Sequence, residues 1–290
     1  MSLVARRDSV QYELRRIAQT PKAFQNWPEL LAEMGRQRVV GRKASAELTF
    51  VTRSGVRVSC PNRPGARLAV FEQFAEDCYD ISRFLGRLTQ RPIHVLDIGA
   101  HIGAFALHLA FVNAQATVDC YEPSGNTAKF LRKNVADNRL DTRIRVFESA
   151  LSAELGWAVF EDNGAASVHN GLVRADSRLV PHHAADTPGV ATRVPTGTFD
   201  GAIAVAPTPV RFVKMDCEGG EYDLVYASSP LSWASVERIV MEHHPVTGHK
   251  WNELRAWFER VGLRVVAHRA ERTELGTAWL SRDSSVRAGG

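Results

Sequence analysis

Three stretches of this 290-residue chain run from apolar residues into ionisable ones: "HVLDIGAHIG" with Asp97, "RFVKMDCEGGEYD" with Lys214, Asp216, Glu218 and Glu221, and "VERIVMEHH" with Glu242 and His244. Carboxylates beside a histidine can take a proton from a hydroxyl, or surround a hard divalent cation such as magnesium that makes the hydroxyl more acidic. Alternation along a strand places Lys214 and Asp216 on one face, and buried charges there are costly unless paired, so this stretch marks a buried polar site. His244 and Asp216 are the candidate bases. Glu218 and Glu242 would orient the base or join Asp216 around a metal. Lys214 already offers Asp216 a cation, so the metal-free arrangement is the expectation. Glu221 falls in the first turn of a helix, where stabilising the helix N-terminus is an equally good role.

These residues meet only if their strands are neighbours with their tips on one edge. Ile93 to Ile98 is a short branched run bounded by Pro92 and Gly99, which reads as a buried strand, and the apolar residues after Gly103 read as a helix packed back on the sheet. The turn between them, with Asp97, Gly99, His101 and Gly103, would let a nucleotide-like ligand approach the backbone. A second strand, Val118 to Tyr121, ends in Glu122, and Ser124 can cap the next helix over Phe130, Leu131 and Val135. Glu122 stands where an acidic residue accepts both hydroxyls of an adenosine ribose. A dinucleotide fingerprint needs a glycine where this chain has His101, and Asp97 would repel a diphosphate but attract an ammonium. S-adenosylmethionine has the ammonium and the ribose without the phosphate, so Asp97 is expected to hold its amino-acid end. A nicotinamide-dependent oxidoreductase and a non-enzymatic adenosine-binding protein are the alternatives.

The rest of the chain sets the frame. Hydrophobic residues make up 44%, enough for a sizeable core in one large or two small domains. No apolar run approaches a membrane span and the N-terminus lacks a signal peptide's apolar stretch, so a cytosolic protein with no membrane partner is expected. Cys60, Cys78, Cys120 and Cys217 are widely separated, which suggests neither disulfides nor zinc. The net charge is +4, but the arginines are scattered, so no nucleic-acid partner is expected. Val10, Leu14 and Ile17 share a helical face, Pro21 to Met34 reads as a second helix, and "AELTFVTRSGVRVSCP" as a β-hairpin turning at Ser54 and Gly55. Ala69 to Leu85, with Phe71, Phe74, Tyr79 and Phe84, reads as one helix leading to the sheet. "RIRVFES" and "WAVFE" are strand-like. The polar segment from Asp162 to Thr198 reads as an ordered loop or lid, its histidines His169, His182 and His183 facing solvent. The expected division is an extension over 1–90, a main domain over 91–281 and a flexible tail over 282–290.

Taken in order, "DIGAHIG", "YEP", "ESALSAELG", "FVKMDCEGGEYD" and "MEHH" resemble the FkbM family of S-adenosylmethionine-dependent methyltransferases over roughly Phe74 to Leu280. The resemblance implies a class I methyltransferase α/β fold, Rossmann-like, with a mostly parallel seven-stranded sheet whose last strand is antiparallel. It also implies O-methylation of a small-molecule hydroxyl on a sugar, glycoside or macrolide-like secondary metabolite. On the match, Asp97, Gly99, Ala100, His101 and Gly103 form the cofactor loop, Glu122 meets the ribose, Ser149 and Ala150 lie near the adenine, and Asp216 borders the cofactor. Lys214, Asp216, Glu218 and Glu221 fall in the family's K-x-D-x-E-G-x-E pattern. The family usually has asparagine where this chain has His101.

Overall fold

The computed structural model describes residues 15–36, 45–162, 171–172 and 190–288. Its centre is a seven-stranded sheet built from β1 (His94–Ile98), β2 (Thr117–Tyr121), β3 (Ile144–Phe147), β4 (Val210–Met215), β5 (Arg238–His243), β6 (Arg264–Arg272) and β7 (Leu275–Ser281). The spatial order is β3-β2-β1-β4-β5-β7-β6, parallel from β3 to β5, with β7 antiparallel to both its neighbours. This is the α/β class I methyltransferase arrangement. Strand order reverses between β1 and β4, and ligands of open α/β sheets bind at that crevice, outside the carboxyl ends of the strands. The register there sets Lys214 beside Asp97.

The helices that matter to the crevice are α1 (Ala104–Val112), α2 (Gly125–Asp137), α3 (Glu221–Ala227) and α4 (Trp251–Arg260). Ser124 caps α2 as expected, its side chain accepting from Thr127 N. In α1, Phe105, Leu107 and Leu109 are all buried, and Phe111 near its C-terminus is its one exposed side chain. A helix apolar all round must be covered on both sides. The sheet covers one side and the N-terminal helix Pro64–Phe74 the other, with Gln73 Nε2 2.9 Å from His108 Nδ1. Phe24, Phe50 and Phe71 pack edge to face beneath this helix, in a core continuous with Phe105 and Phe212 of the sheet domain.

The hairpin forms as read, Glu47–Val51 against Arg57–Pro61, with Gly55 at φ +89° in its turn. It is tied to the glycine turn after β1 through buried Asn134 of α2, which accepts from Ser59 N and donates to the carbonyls of Ser59 and Ile102.

Several expectations are corrected. Residues 15–23 are helical, so Pro21 starts no new helix, and the next one is Trp27–Arg36. The break occurs because Phe24 bridges to Thr52 and the Asn26 side chain binds Thr49 O and Val51 N. Ala69 to Leu85 is not one helix. It ends at Phe74 and resumes as Ile81–Leu85, with Asp77 and Asp80 in left-handed conformation between. Residues 190–197 are a strand rather than loop, pairing antiparallel with Gly156–Asp162 in a separate four-stranded sheet that also includes 150–151 and 171–172. "WAVFE" therefore lies outside the main sheet. His169, His182 and His183 fall outside the described residues, as do Val10 and Leu14. All four cysteines are free thiols. At the C-terminus, Arg282 donates to Val236 O and Trp233 O, and Val286 packs on the core.

Candidate active site

The glycine turn after β1 is shaped by backbone that only certain residues adopt. Gly99 (φ +75°) and Gly103 (φ +82°) are left-handed, and so is His101 at φ +51°. Asparagine and histidine are among the side chains that tolerate this region best, so His101 meets the same backbone demand as asparagine. The turn hooks over β2, with Gly99 N and Ala100 N both donating to Tyr121 O at 3.0 Å.

Asp97 is wholly buried, and neither of its oxygens accepts a hydrogen bond. Its nearest cation is Lys214 Nζ, 3.4 Å from Oδ1. Burial raises the Asp97 pKa above the usual carboxylate range, with Lys214 only partly offsetting it. Such a group is under-satisfied and favours a further cation or donor. Glu122, at the tip of β2, accepts from His101 N through Oε2 and from Ser124 N through Oε1, both at 2.8 Å. Each oxygen retains a second lone pair. Burial pushes the Glu122 pKa up to about 7 despite those two donors. Ser149 is half-buried and Ala150 buried just beyond the end of β3, on the same sheet edge.

Lys214 donates to Gly99 O at 2.7 Å and lies 3.4 Å from Asp97 but 3.8 Å from the nearer Asp216 oxygen. Lys214 offers Asp216 a cation as expected, but its shorter contacts fasten the glycine turn and Asp97 to β4, since the register puts it opposite Asp97. Burial opposes its charge, but Asp97 and then Asp216 outweigh that and raise its pKa.

Beyond the tips of β4 and β5, His244 sits among carboxylates. Its Nδ1 is 3.0 Å from Glu221 Oε1, and its Nε2 is 3.5 Å from Glu218 Oε2 and 4.0 Å from Asp216 Oδ1. Burial works against a charge on the ring, but Glu221, Glu218 and Asp216 outweigh it and hold its pKa well above the ordinary histidine value. Carboxylates at both ring nitrogens favour its protonated form, in which it would donate a proton rather than take one. Glu221, fully buried at the start of α3, orients the ring while also accepting from Cys217 N, which makes it more than a helix-terminus charge. The neighbouring His243 turns to the other face and stacks on Trp251 with centroids 4.4 Å apart.

Glu242 does not join the cluster of Asp216, Glu218 and His244. Tyr79 OH donates to its Oε1 at 2.8 Å, and among the described residues no ion pair reaches it. Burial, and next the charge of Asp216, push its pKa up to about 7. Glu72 lies close behind; burial and then Glu242 push it up to about 8. Neither Tyr79 nor Glu72 was legible as a site residue. The available signal was a lone carboxylate in the apolar run "RLAVFEQF".

A family model described as the methyltransferase FkbM domain matches residues 97–265, from Asp97 to beyond His244. The chain belongs to the FkbM methyltransferase family. As an FkbM-family methyltransferase it is similar to methyltransferase sdnD of Sordaria araneosa, at 23% identity over 69% of this chain and 83% of that one. Among solved structures it is similar to the METTL16 MTase domain, with TM-score 0.42, 13% identity, and coverage of 70% of this chain and 65% of that one. Against M. jannaschii TYW2 in complex with AdoMet the TM-score is 0.42 at 13% identity, covering 83% and 89% of the two chains. The chain thus spans just under two thirds of the METTL16 structure. Family membership implies S-adenosylmethionine, and the buried carboxylate of Asp97, which accepts no hydrogen bond beside a glycine turn, fits its ammonium. No described helix is long and apolar enough to cross a membrane.

Proposed function

We propose that this FkbM-family chain transfers a methyl group from S-adenosylmethionine to a hydroxyl of a small-molecule acceptor, a sugar, glycoside or macrolide-like secondary metabolite. The observation that carries the cofactor assignment is Asp97, buried without a hydrogen bond at the head of the glycine turn. In this reading Asp97 binds the cofactor's ammonium, Glu122 accepts from its ribose, Ala100, His101, Gly103, Ser149 and Ala150 line it, and Lys214 locks the turn in place. When bound, the cofactor supplies an electrophilic methyl group on a sulfonium, itself an excellent leaving group.

The protein must then align the acceptor oxygen and take its proton. Asp216 is already engaged at both oxygens, Oδ2 facing Lys214 and Oδ1 facing His244. Among the described residues Glu242 has no ion-pair partner, and Tyr79 fixes one of its oxygens, which leaves Oε2 to receive the proton. Asp216, Glu218 and His244 orient the acceptor beside it. A hydroxyl acceptor is favoured because an alcohol must shed its proton as the new bond forms, whereas a neutral amine attacks through a free lone pair.

The test is incubation of the full chain with S-adenosylmethionine and a panel of glycosides, polyols and macrolide aglycones, with mass spectrometry for a one-methyl gain. O-methylated product that disappears in Glu242→Gln, while cofactor binding persists, supports the reading. Methylation confined to amine-bearing acceptors, and undiminished in Glu242→Gln, refutes the O-methyl assignment.

A further inference from the structure

Three side chains from two neighbouring strand ends, Asp216, Glu218 and His244, each offer a ligand atom, and these atoms lie within 4.8 Å of one another. We propose that they hold a divalent first-row transition-metal cation at the methyl-transfer site, with coordination positions left open for the acceptor's oxygen; this rests on the methyltransferase reading above.

The first support is what Lys214 does not do. A metal-free site was expected because Lys214 would neutralise Asp216, yet its short contacts go to Gly99 O and Asp97, and it approaches only Oδ2 of Asp216. Oδ1 faces the other way, towards His244. The second support lies behind the histidine. Glu221 is fully buried; its Oε1 binds His244 Nδ1, and its Oε2 has no hydrogen-bond partner. A carboxylate that holds one imidazole nitrogen fixes the ring and makes the other nitrogen a stronger ligand, an arrangement typical of metal-bound histidines. Here the other nitrogen, Nε2, points at the two remaining candidate ligands.

The distances suit a cation with slight closure. Ligand atoms about 2.0–2.2 Å from a metal lie roughly 3.0–3.5 Å from one another in octahedral or tetrahedral geometry. The Nε2 to Glu218 separation is 3.5 Å already, and the 4.0 Å to Asp216 needs about half an ångström of movement by a side chain that is 27% exposed. The donor set selects the metal. Two carboxylates and an imidazole suit manganese, iron(II) or zinc better than magnesium or calcium, which prefer oxygen alone. Binding releases the Nε2 proton of His244 to solvent. The bound cation would then polarise the acceptor hydroxyl and ease its deprotonation.

Manganese(II) is the probe. Full-length protein, first freed of metal with chelator, is titrated with Mn2+ while electron paramagnetic resonance counts the free ion. The expected result is one Mn2+ per chain, with pulsed spectra showing coupling to a single histidine nitrogen. His244→Ala should abolish that coupling and weaken binding at least tenfold, and Asp216→Asn should weaken it similarly, with thermal melts confirming that both variants fold. Less than one equivalent bound, absence of nitrogen coupling in the wild type, or unchanged affinity in both folded variants overturns the proposal and leaves a proton as the occupant. Calorimetry with S-adenosylmethionine on the same chelated protein separates the two readings. Cofactor binding without Mn2+ binding refutes the metal site alone. Mn2+ binding without cofactor binding supports the metal site and refutes the methyltransferase reading.

Discussion

Replacing Gly99 with alanine should be far more damaging than one added methyl group suggests. A Cβ at this position, where φ is +75°, would lie 1.8 Å from the carbonyl oxygen of Asp216 and 2.9 Å from its carbonyl carbon. The left-handed backbone alone costs an L-residue roughly 1–2 kcal/mol. No rotamer change relieves the clash, because the obstacle is backbone, and that backbone is pinned by Asp216 N donating to Ile98 O at 3.0 Å. Parting β1 from β4 at this point adds about 1–3 kcal/mol, as overpacking a core does. The total is about 2–5 kcal/mol. Gly55 separates the two contributions: it is also left-handed, at φ +89°, but nothing lies within 4 Å of its would-be Cβ. Gly55→Ala should therefore cost only about 1–2 kcal/mol. Urea melts of the two variants, analysed with a common slope, read the difference as a displacement of the midpoint. Losses equal to within about 0.5 kcal/mol would refute the close packing of the cofactor turn on Asp216.

Other outcomes follow from the site. Glu122, with its pKa near 7 in the free protein, should make S-adenosylmethionine binding pH-dependent, with affinity falling about tenfold per unit as the pH drops below about 7. Calorimetry across pH should show that slope in the wild type and none in Glu122→Gln; the same slope in both contradicts the ribose assignment. The sign for stability is opposite. A carboxyl raised from 4.5 to about 7 by folding binds its proton more tightly in the native state, so its contribution is full below pH 4.5 and is lost as pH rises through 7. Tyr79→Phe should lower turnover about tenfold while leaving cofactor affinity unchanged, because the hydroxyl donates to Glu242 and, among the described residues, not to those of the glycine turn. Unchanged turnover in steady-state assays would remove Tyr79 from the site.

The parts of the fold legible in the sequence were those whose signal is local. β1, β2, β4 and β5 announce themselves as short branched runs ending in carboxylates, and Ser124 announces the start of α2. Their order in the sheet, and with it the convergence of Asp97, Asp216 and His244, came through the ordered set of motifs. The rest was settled by contacts distant in sequence. Nothing near Lys214 says that its partner is Asp97; the β1–β4 register decides it. Tyr79 reads as one more apolar residue on a helix, yet the helix breaks around it, Trp279 Nε1 donates to its carbonyl, and its hydroxyl reaches Glu242, 163 positions away. Glu221 lies at a helix start, where a dipole role is reasonable, and only the folded chain brings His244 against it. The N-terminal extension was expected only as a separate segment over 1–90, although the apolar residues of α1 already required a cover.

The central claim, that Asp97 binds the ammonium of S-adenosylmethionine, is tested most directly by calorimetric titration of the wild type and Asp97→Asn with the cofactor. Asparagine keeps the shape and removes the charge, and melts of the variant verify that Lys214, which still donates to Gly99 O, remains packed. A hydrogen bond to a charged group contributes about 1.5–3 kcal/mol. The account therefore predicts affinity weakened by about 10- to 150-fold in a folded variant, and equal affinity in the two proteins would contradict it.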